Sequence, residues 1–397
     1  MHIVLASAFQ YPDGGPGATR TLALASGLVE LGHAVSFIAI GQSALPPQTA
    51  WRDFTWVTSR GLTSRRGPVA WRLEMARGFA VTLESLHRKS SIDGLLIVNR
   101  DSWILNRCRA AAERLRIPAF HELTEFLDYT PTSGVRNRIE SRLLLRELRH
   151  LSGVLAISTA LRHFLRYNGV QRVALTGPCV NSPGWSFGDR LVLSDTLRVG
   201  YAGSLNQAKD GVLDLLEAIC RARLLLGDSK VRLDVVGGST NEIRIAVAHA
   251  EDLGIGPNVQ FHGRVPADAV AGLLQGCHVL ALPRPASRQA QGGFPTKLGE
   301  YLTTGRPVLT TSVGDIPHYL RADVNCFMVP PGDPDVMAEA IASVARDYGH
   351  AQSIGRAGQE LAHTTFHPRR AAGILVQFMT GCRVASSSRA AERLRGA

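Results

Sequence analysis

The sequence predicts an α/β protein of two Rossmann-like domains whose parallel sheets face each other across a cleft. Its 397 residues exceed what one ordinary hydrophobic core holds, so two domains are expected. Short apolar runs alternate with amphipathic stretches in both halves, which is typical of doubly wound parallel sheets. A segment rich in Gly, Pro, Ser and Asn at 176–190 indicates the linker. We therefore predict domains at 1–185 and 190–382, followed by a flexible basic tail at 383–397.

The first half opens with an apolar strand at 2–7, a glycine loop and a helix at 18–32. The helix has apolar residues at helical spacing and ends at Gly32, because a glycine commonly stops a helix. Further apolar runs of strand length predict the other strands of this half: 34–40, 93–99, 118–123 and 153–158.

The second half repeats this pattern. Two long amphipathic stretches, at 211–227 and 333–349, predict helices. Apolar runs of strand length predict six strands: 197–203, 231–238, 258–263, 277–283, 306–311 and 325–330. In open α/β sheets a ligand binds beyond the carboxyl ends of the strands, so we expect the functional residues in the loops that follow these strands.

Composition restricts the classes of function. The net charge is +11, and residues 1–185 hold 22 basic against 13 acidic residues, which indicates either an anionic partner or an arginine-rich composition. Aromatic residues make up only 6% and do not interleave with basic ones, which argues against single-stranded nucleic acid. Six scattered cysteines without a CxxC pair argue against zinc. The sequence contains no apolar run of about 18 residues, so we expect no membrane span. We expect a cytoplasmic protein.

The stretch GGFPTKLGEYLTTGRPV at 292–308 contains the strongest site candidates. Only four of the 44 basic residues are lysines, and Lys297 is one of them, at the predicted start of a helix. After Pro295, the backbone N–H groups of Thr296 and Lys297 and the Lys297 ammonium would face a diphosphate. Glu300, one turn later, would accept hydrogen bonds from ribose hydroxyls; its alternative role is to stabilise the helix N-terminus.

Two loops of the second half add candidates. In YAGSLNQAKDG at 201–211, Ser204 and Lys209 lie at a helix start, where a cation is unfavourable unless an anionic ligand balances it. In FHGRVPADAV, Gly263 and Arg264 follow a strand, and the backbone of such a loop can contact the edge of a nucleobase. A surface lysine and an ordinary strand-to-helix turn are the alternatives.

The glycine loop DGGPGATR at 13–20 joins the first strand to the first helix. Gly15 and Gly17 allow the backbone to approach an anion closely at the helix N-terminus. The spacing is not the GxGxxG of a dinucleotide site, which argues against a dehydrogenase. A plain tight turn is the alternative.

These motifs resemble those of the retaining glycosyltransferases of the GT-B fold, family 4, which includes bacterial cell-surface polysaccharide transferases. The resemblance covers most of the chain and is carried by GGPGATRTLALASGLVELGHAV, YAGSLNQAKDG, VQFHGRVPADAVAGLLQGCHVLALPR and GGFPTKLGEYLTTGRPVLTTSVGDIPHYL. It implies transfer of a sugar from a nucleotide-diphosphate-sugar, with UDP or GDP, to an acceptor hydroxyl with retention of configuration. It also implies that no metal or other cofactor is needed, because basic side chains and helix dipoles offset the charge of the leaving diphosphate.

The resemblance also assigns roles to residues. Lys209 corresponds to the family's phosphate-binding lysine, and Glu300 to the glutamate that holds the donor ribose. The loop of Gly15 and Gly17 corresponds to the glycine loop under the diphosphate. His121, in FHELTEF after a strand, is similar to the family's histidine near the donor sugar and is the catalytic candidate; a buried, satisfied histidine is the alternative.

Two positions depart from the family pattern. Gly292 stands where the family has the first glutamate of a Glu-x7-Glu element, and Ser204 replaces an arginine. One alternative to the transferase is therefore a partner subunit of the same fold with weak or no activity. Another is a sugar-nucleotide epimerase, which would need a carboxylate cluster around the sugar that the sequence does not show.

The segment RNRIESRLLLRELRHL at 136–151 predicts a helix with arginines on one side and leucines on the other. We favour a helix that packs its leucines into the first domain. The alternative is peripheral contact with an anionic membrane at its inner face, close to a lipid-linked acceptor. The acceptor itself stays open between a glycan, a lipid-linked sugar and a small molecule.

Overall fold

A computed structural model describes most of the chain, and its residues fall into two compact units. The first unit comprises Met1–Asn181 and His367–Ala397, and the second comprises Ser182–Phe366. The described residues are 1–7, 9, 11, 15–39, 54–58, 68–127, 135–180, 185, 191–227 and 230–395. Most of the predicted linker beyond residue 180 therefore lies outside the described residues, as does residue 40 of the predicted second strand.

The first unit is built on a parallel sheet of seven strands in the order β3-β2-β1-β4-β5-β6-β7. Its strands are β1 (His2–Ser7), β2 (Ala34–Ala39), β3 (Phe54–Thr58), β4 (Gly94–Val98), β5 (Ala119–Leu123), β6 (Gly153–Ala156) and β7 (Val173–Leu175). Its helices are α1 (Pro16–Glu30), α2 (Pro68–Lys89), α3 (Ser102–Arg114), α4 (Val135–His150) and α5 (Thr159–Tyr167). Strands β4, β5 and β6 are buried at every position, as expected of parallel strands covered on both faces.

The sequence predicted five of these seven strands to within two residues. Strand β3 was missed because its five residues, FTWVT, include two threonines and do not form a continuous apolar run. Strand β7 was missed because its three residues are only partly buried and merge with the predicted linker.

The second unit has a parallel sheet of six strands in the order β10-β9-β8-β11-β12-β13. Its strands are β8 (Leu197–Gly203), β9 (Val231–Gly237), β10 (Val259–Gly263), β11 (Val279–Leu282), β12 (Val308–Thr311) and β13 (Phe327–Val329). Its helices are α6 (Gln207–Asp210), α7 (Val212–Leu226), α8 (Thr240–Asp252), α9 (Ala267–Gln275), α10 (Arg288–Gly292), α11 (Thr296–Thr303), α12 (Ile316–Tyr319), α13 (Pro334–Arg346) and α14 (Tyr348–Thr364). All six predicted strands are present, each within two residues of its predicted bounds.

Strand order reverses once in each sheet. The reversal lies between β1 and β4 in the first sheet and between β8 and β11 in the second. Loops that leave such a pair of strands turn to opposite faces of the sheet, and the crevice between them is where open α/β sheets bind ligands. In the second unit the segments that follow β8 and β11 are in close contact. There is no room between them for a side chain on Gly211, since a methyl group there would overlap the Pro283 carbonyl oxygen.

The last helix, α15 (Pro368–Arg395), belongs to the first unit and not to the second. Its residues Ala371, Leu375 and Met379 are fully buried there. The packing is close because glycines on the facing elements leave room: a methyl group at Gly94 would lie 2.9 Å from Met379 Sδ, and one at Gly153 would lie 2.5 Å from Phe378 Cε1. The predicted boundary at 382 is corrected accordingly, and the described part of the predicted tail continues this helix.

Candidate functional site

The carboxyl end of β8 is shaped by a contact between Gly203 and Lys297. Gly203 ends the strand with φ of 146°, a conformation that favours glycine. A methyl group at this position would also overlap Nζ of Lys297. The ammonium therefore lies directly against the backbone of the strand end, beside the loop that follows β8.

Lys297 is held by two polar partners. Its Nζ donates to Asp210 Oδ1 over 2.9 Å and to the Tyr201 hydroxyl over 3.1 Å, and it lies 4.9 Å from the centroid of the Tyr201 ring. Burial lowers the pKa of Lys297, and the Asp210 carboxylate opposes this shift. The lysine was predicted as a phosphate contact; in this structure its ammonium is engaged with Asp210, which the sequence analysis did not single out.

Asp210 and Tyr201 also fix Ser204. The second carboxylate oxygen of Asp210 is hydrogen-bonded to the Ser204 hydroxyl, and the Tyr201 hydroxyl donates to the Ser204 carbonyl oxygen. Asp210 is 2% exposed and Tyr201 is fully buried. The only hint of this cluster in the sequence is an acidic residue placed between Lys209 and a glycine.

The loop after β8 is a short, capped turn. The Asn206 side chain accepts a hydrogen bond from the Lys209 backbone N–H over 3.1 Å and so caps α6. Gly211 adopts the left-handed conformation, with φ of 71°, and starts α7. Lys209 is half-buried, and together with Arg284 it further lowers the pKa of Lys297. Lys297 is therefore paired with Asp210 and lies in the positive field of two further cations, Lys209 and Arg284.

Tyr301 anchors α11 to β8. Its hydroxyl accepts from the Ala202 backbone N–H over 2.6 Å and donates to the Ala202 carbonyl oxygen over 3.3 Å. Tyr301 is fully buried, and the ring of Trp185 lies 6.1 Å away. This anchor sets the position of the two candidates on the same helix, Lys297 and Glu300. Sequence reasoning missed Tyr301, although it directly follows Glu300.

Glu300 is half-buried one turn after Lys297. Its carboxylate forms no hydrogen bond or ion pair with the described residues. Burial raises its pKa to about 7, and Lys297 opposes this shift. Both oxygens of this carboxylate are available, and its raised pKa lies close to neutral pH. Such a group is suited to accept hydrogen bonds from a diol.

The start of α11 is held by aromatic packing. Pro295 precedes the helix and provides no side-chain cap for the N–H groups that begin with Thr296. Phe294 packs edge-on against Tyr319 and Phe366, with ring centroids 5.5 Å away in both cases. This packing fixes the loop before α11. The unbonded N–H groups at the helix N-terminus, which is the positive end of the helix dipole, are therefore held in a fixed orientation.

Gly263 and Arg264 lie at the end of the edge strand β10, two strands away from β8. Gly263 has φ of 69° and Arg264 is exposed. No described contact links them with the cluster around Lys297. Their contact with a nucleobase stays a prediction.

In the first unit, α1 begins at Pro16 and not at residue 18 as predicted, so Gly17 lies in its first turn and not in the preceding loop. Gly15 precedes the helix with φ of 76° and no side chain caps the first turn. A methyl group on Gly17 would overlap the ring of Phe9, so this glycine also has a packing role.

His121 lies inside β5, not after it, and is 1% exposed. Both of its ring nitrogens are buried without a hydrogen-bond partner among the described residues. Burial lowers its pKa to about 4, so the imidazole is neutral at neutral pH. The neighbouring Ile97 backbone opposes this lowering of the His121 pKa, so the satisfied core histidine and the contact with a sugar both stay predictions.

The neighbouring residue, Glu122, forms a buried ion pair that the sequence did not reveal. It accepts from Arg20 Nη2 over 2.8 Å and from Arg20 Nε over 3.2 Å. Arg20 also donates to the Thr176 hydroxyl over 3.1 Å. Arg20 on α1 therefore links Glu122 on β5 with Thr176, which directly follows β7. The three residues are far apart in sequence.

Among the described residues, no group of three or more His, Cys, Asp and Glu side chains is placed to hold a metal ion. No helix in the described ranges has the length and apolar character to cross a membrane.

One family model matches part of the sequence, and several solved structures have a similar fold. Residues 196–347 match the family model for glycosyl transferases group 1. No curated protein sequence matches the chain. Among solved structures, sucrose-phosphate synthase from Thermosynechococcus elongatus is 16% identical with a TM-score of 0.71, and covers 97% of this chain and 100% of its own.

Two further solved structures have the same fold. A glycosyltransferase from Rickettsia africae is 14% identical with a TM-score of 0.71, and covers 96% of this chain and 98% of its own. HepE from Anabaena, solved in complex with UDP and glucose, is 18% identical with a TM-score of 0.67, and covers 95% of this chain and 99% of its own.

Proposed function

We propose that this chain, which has the GT-B fold of the glycosyltransferases and carries a group 1 glycosyltransferase domain at residues 196–347, transfers a sugar from a nucleotide-diphosphate-sugar to an acceptor hydroxyl. We further propose that the transfer retains the anomeric configuration and needs no metal. The observation that carries the proposal is the cluster at the carboxyl ends of β8 and β11: Lys297 is paired with Asp210, the charges of Lys209 and Arg284 act on Lys297, and Glu300 lies one turn further along α11.

The cations supply the charge that a diphosphate requires. Lys209, Arg284 and Lys297 carry three positive charges against the two carboxylates of Asp210 and Glu300, which leaves a net positive charge next to the uncapped N-terminus of α11. Thr296 and Lys297 begin that helix, and its dipole adds to the same field. As the bond between sugar and diphosphate breaks, this fixed field stabilises the negative charge that develops on the leaving group. A bound metal is then not required for charge neutralisation.

Glu300 is assigned to the ribose. Two hydroxyl groups can donate to its two carboxylate oxygens, and such bonds favour the ionised form over the protonated one. HepE was solved with UDP and glucose, which makes a uridine nucleotide the first donor to test. Gly263 and Arg264 are kept as candidates for the nucleobase.

Residues of the first unit complete the assignment. The amides at Gly15 and Gly17 are proposed to contact the diphosphate, and His121 the sugar. A neutral imidazole without a partner can accept one hydrogen bond and donate another. We therefore expect it to orient a sugar hydroxyl rather than to supply a positive charge.

A second candidate function is a weakly active or inactive partner subunit. It is favoured by Ser204, whose hydroxyl is bonded to Asp210 at the position where the family has an arginine. The cluster therefore has one cation fewer than the family pattern and one aspartate that partly offsets the rest.

Thermal unfolding with UDP, GDP, ADP and dTDP and their common sugar conjugates tests the proposal. A ligand at about 100 times its dissociation constant adds roughly 2.7 kcal/mol to the free energy of unfolding, which is several degrees in a chain of this size. The shift should appear for one nucleotide and disappear in Glu300→Ala. Incubation of that donor with acceptors in EDTA, with NMR of the product anomer, then tests retention and metal independence. A nucleotide that binds without any turnover would favour the partner subunit.

A further inference from the structure

Helix α4 exposes two parallel stripes of opposite character. Val135, Ile139 and Leu143 are 73%, 51% and 44% exposed, and they follow one another at intervals of four residues. Arg138, Arg142 and Arg146 are also exposed and have the same spacing. Residues four apart lie on the same side of a helix, so each stripe runs along the helix and the two lie side by side.

The inner face of α4 is already used for packing. Leu144 and Leu148 are buried, which confirms part of the predicted packed helix. Its two acidic residues face α3: Glu140 accepts from the Ser102 backbone N–H over 2.6 Å, and Glu147 accepts from Arg109 Nε over 3.1 Å. The acidic side chains are therefore turned away from the arginine stripe.

The exposed stripes are unfavourable for an isolated unit. Arg138, Arg142 and Arg146 form no hydrogen bond or ion pair within the part of the chain that the structure describes. Like charges four residues apart on a helix repel each other by a few tenths of a kcal/mol per pair. Val135, Ile139 and Leu143 beside them stay in contact with water, so the chain does not gain the free energy that burial of these side chains would provide. An arrangement with both features is suited to a partner that offers negative charge and an apolar layer together.

A pocket of about 410 Å³ adjoins the arginine stripe. Arg138 and Arg142 line it together with Leu145, Phe164 and Asn168. Its volume lies in the range of pockets that hold small ligands. The other lining residues are Leu127, Asn137 and Ser141, so two guanidinium groups share the pocket with hydroxyl and amide side chains, a set that can hold one phosphate group.

We propose that the outer face of α4 docks on a bilayer that contains anionic phospholipids, and that the pocket between α4 and α5 takes one lipid phosphate. The helix is about 24 Å long and would lie in the plane of the surface. The arginine stripe contacts headgroup phosphates while Val135, Ile139 and Leu143 enter the boundary between headgroups and acyl chains. This docking does not depend on the proposed transferase activity.

A bilayer fits better than nucleic acid. Arginines at this spacing would contact the phosphates of a duplex as well, but nucleic acid offers no apolar layer for three exposed aliphatic residues. Single-stranded nucleic acid is bound by aromatic platforms, and none of the exposed residues of α4 is aromatic.

Vesicle flotation with the full chain tests the proposal. Vesicles of phosphatidylcholine alone are compared with vesicles containing about one third phosphatidylglycerol, in low and high salt. We expect binding only to the anionic vesicles and release by salt. The triple variant Arg138→Gln, Arg142→Gln, Arg146→Gln should bind roughly a hundredfold more weakly, because each basic residue near an anionic surface contributes about a factor of five.

The controls separate charge from position. A triple variant with the same change of net charge, at the exposed Arg232, Arg321 and Arg369, should bind almost like the wild type. At moderate salt, where charge attraction is weakened, the wild type should keep part of its binding to anionic vesicles through the apolar stripe. The variant Ile139→Ser, Leu143→Ser should lose this part. Both sets alter exposed side chains, so unchanged melting temperatures are expected.

Two results would overturn the proposal. One is an absence of vesicle binding, whether or not a labelled RNA or DNA duplex binds in its place. The other is an equal loss of binding in the two arginine triple variants, since that would reflect net charge and not the stripe on α4. Phosphatidylglycerol micelles and inorganic phosphate, tested as competitors, distinguish a lipid headgroup from a free anion in the pocket.

Discussion

Asp210 and Lys297 form an ion pair of 2.9 Å in which the aspartate side chain is 3% exposed and the lysine side chain 19%. They are far apart in sequence, and they connect the loop after β8 with the first turn of α11. Both elements carry proposed donor-binding residues. The pair therefore couples the position of the proposed diphosphate site to that of the proposed ribose site.

Removing both partners of this pair should destabilise the chain by less than the two single losses added together. Asp210→Asn leaves a buried ammonium without compensation, and we expect a loss of about 3 kcal/mol. Lys297→Met removes the ion pair of the buried Asp210 and leaves its hydrogen bond with the Ser204 hydroxyl, so it should have a similar effect. The double variant should lose less than the sum by about 2 kcal/mol or more. Urea denaturation of the four proteins measures this coupling, and strictly additive losses would contradict it.

Glu300 should make the chain less stable as pH rises. Its pKa is raised to about 7 in the folded state from 4.5, so between these values the folded state binds more protons than the unfolded state. Stability contributed by the protonated form is therefore present below about pH 4.5 and lost as pH rises to 7. Glu300→Gln should remove this loss and be more stable at pH 8 by up to about 3 kcal/mol. Denaturation curves at pH 5 and pH 8 decide; an equal difference between variant and wild type at both values would sink the assignment.

The affinity for a nucleotide-sugar should rise with pH through 7. Ribose hydroxyls donate to the ionised carboxylate of Glu300, so binding lowers its raised pKa and releases a proton. UDP-glucose is the suitable probe, because its diester phosphates do not titrate in this range. Calorimetry in two buffers with different ionisation enthalpies measures the proton release. The release should be absent in Glu300→Gln, and a wild type that binds without proton exchange at pH 6 to 7 speaks against the ribose contact.

His121 should make the chain sensitive to acid. Burial lowers its pKa to about 4 from 6.5, so the unfolded state takes up a proton that the folded state does not. The stability it contributes is present above 6.5 and lost as pH falls towards 4. His121→Leu should therefore be more stable than the wild type at pH 5, by about 2 kcal/mol, and lose catalytic turnover. The difference should shrink at pH 8, where only the unpartnered ring nitrogens remain unfavourable; a difference that stays constant with pH would reject the titration of His121.

Gly203→Ala should displace Lys297. The added methyl group overlaps Nζ and the residue has φ of 146°, so we expect a loss of about 2 kcal/mol or more. Gly263→Ala is the matched control, because φ of 69° is also unfavourable there but the methyl group meets only Ile243 Cδ1 at 4.0 Å. That variant should lose about 1 kcal/mol. In the Gly203→Ala background, Lys297→Met should have little further effect; a full additional loss would show that Lys297 still holds Asp210.

The local patterns of the sequence predicted more of the fold than of the site. Buried parallel strands must be aliphatic on both faces, so short apolar runs located all six strands of the second unit. The turn from Thr296 to Glu300 was also readable, because helical spacing alone places Lys297 and Glu300 one turn apart. The partner of Lys297 was not readable, since Asp210 reaches it only through the pairing of β8 with β11.

The same distinction explains the other omissions. The ion pair between Arg20 and Glu122 joins elements that are separated by several strands and helices along the chain, so no local spacing indicates it. Helix α15 follows the second unit without a break in composition, and only its contacts with α1, β4 and β6 show that it belongs to the first. His121 lies inside the predicted strand 118–123, and its register with Ile97 on β4 places it in the sheet and not in the loop after the strand, where a site residue was expected.

The return of α15 to the first unit has a consequence for how the chain is made. Ribosomes add about 5–20 residues per second, so Ser182–Phe366 takes roughly ten to forty seconds to synthesise before Ala371, Leu375 and Met379 emerge. During that interval the nascent first unit has its sheet but lacks the apolar residues that cover one face of it. The second unit, which is continuous in sequence, is therefore the part that can finish folding first, and the unit encoded first is completed last.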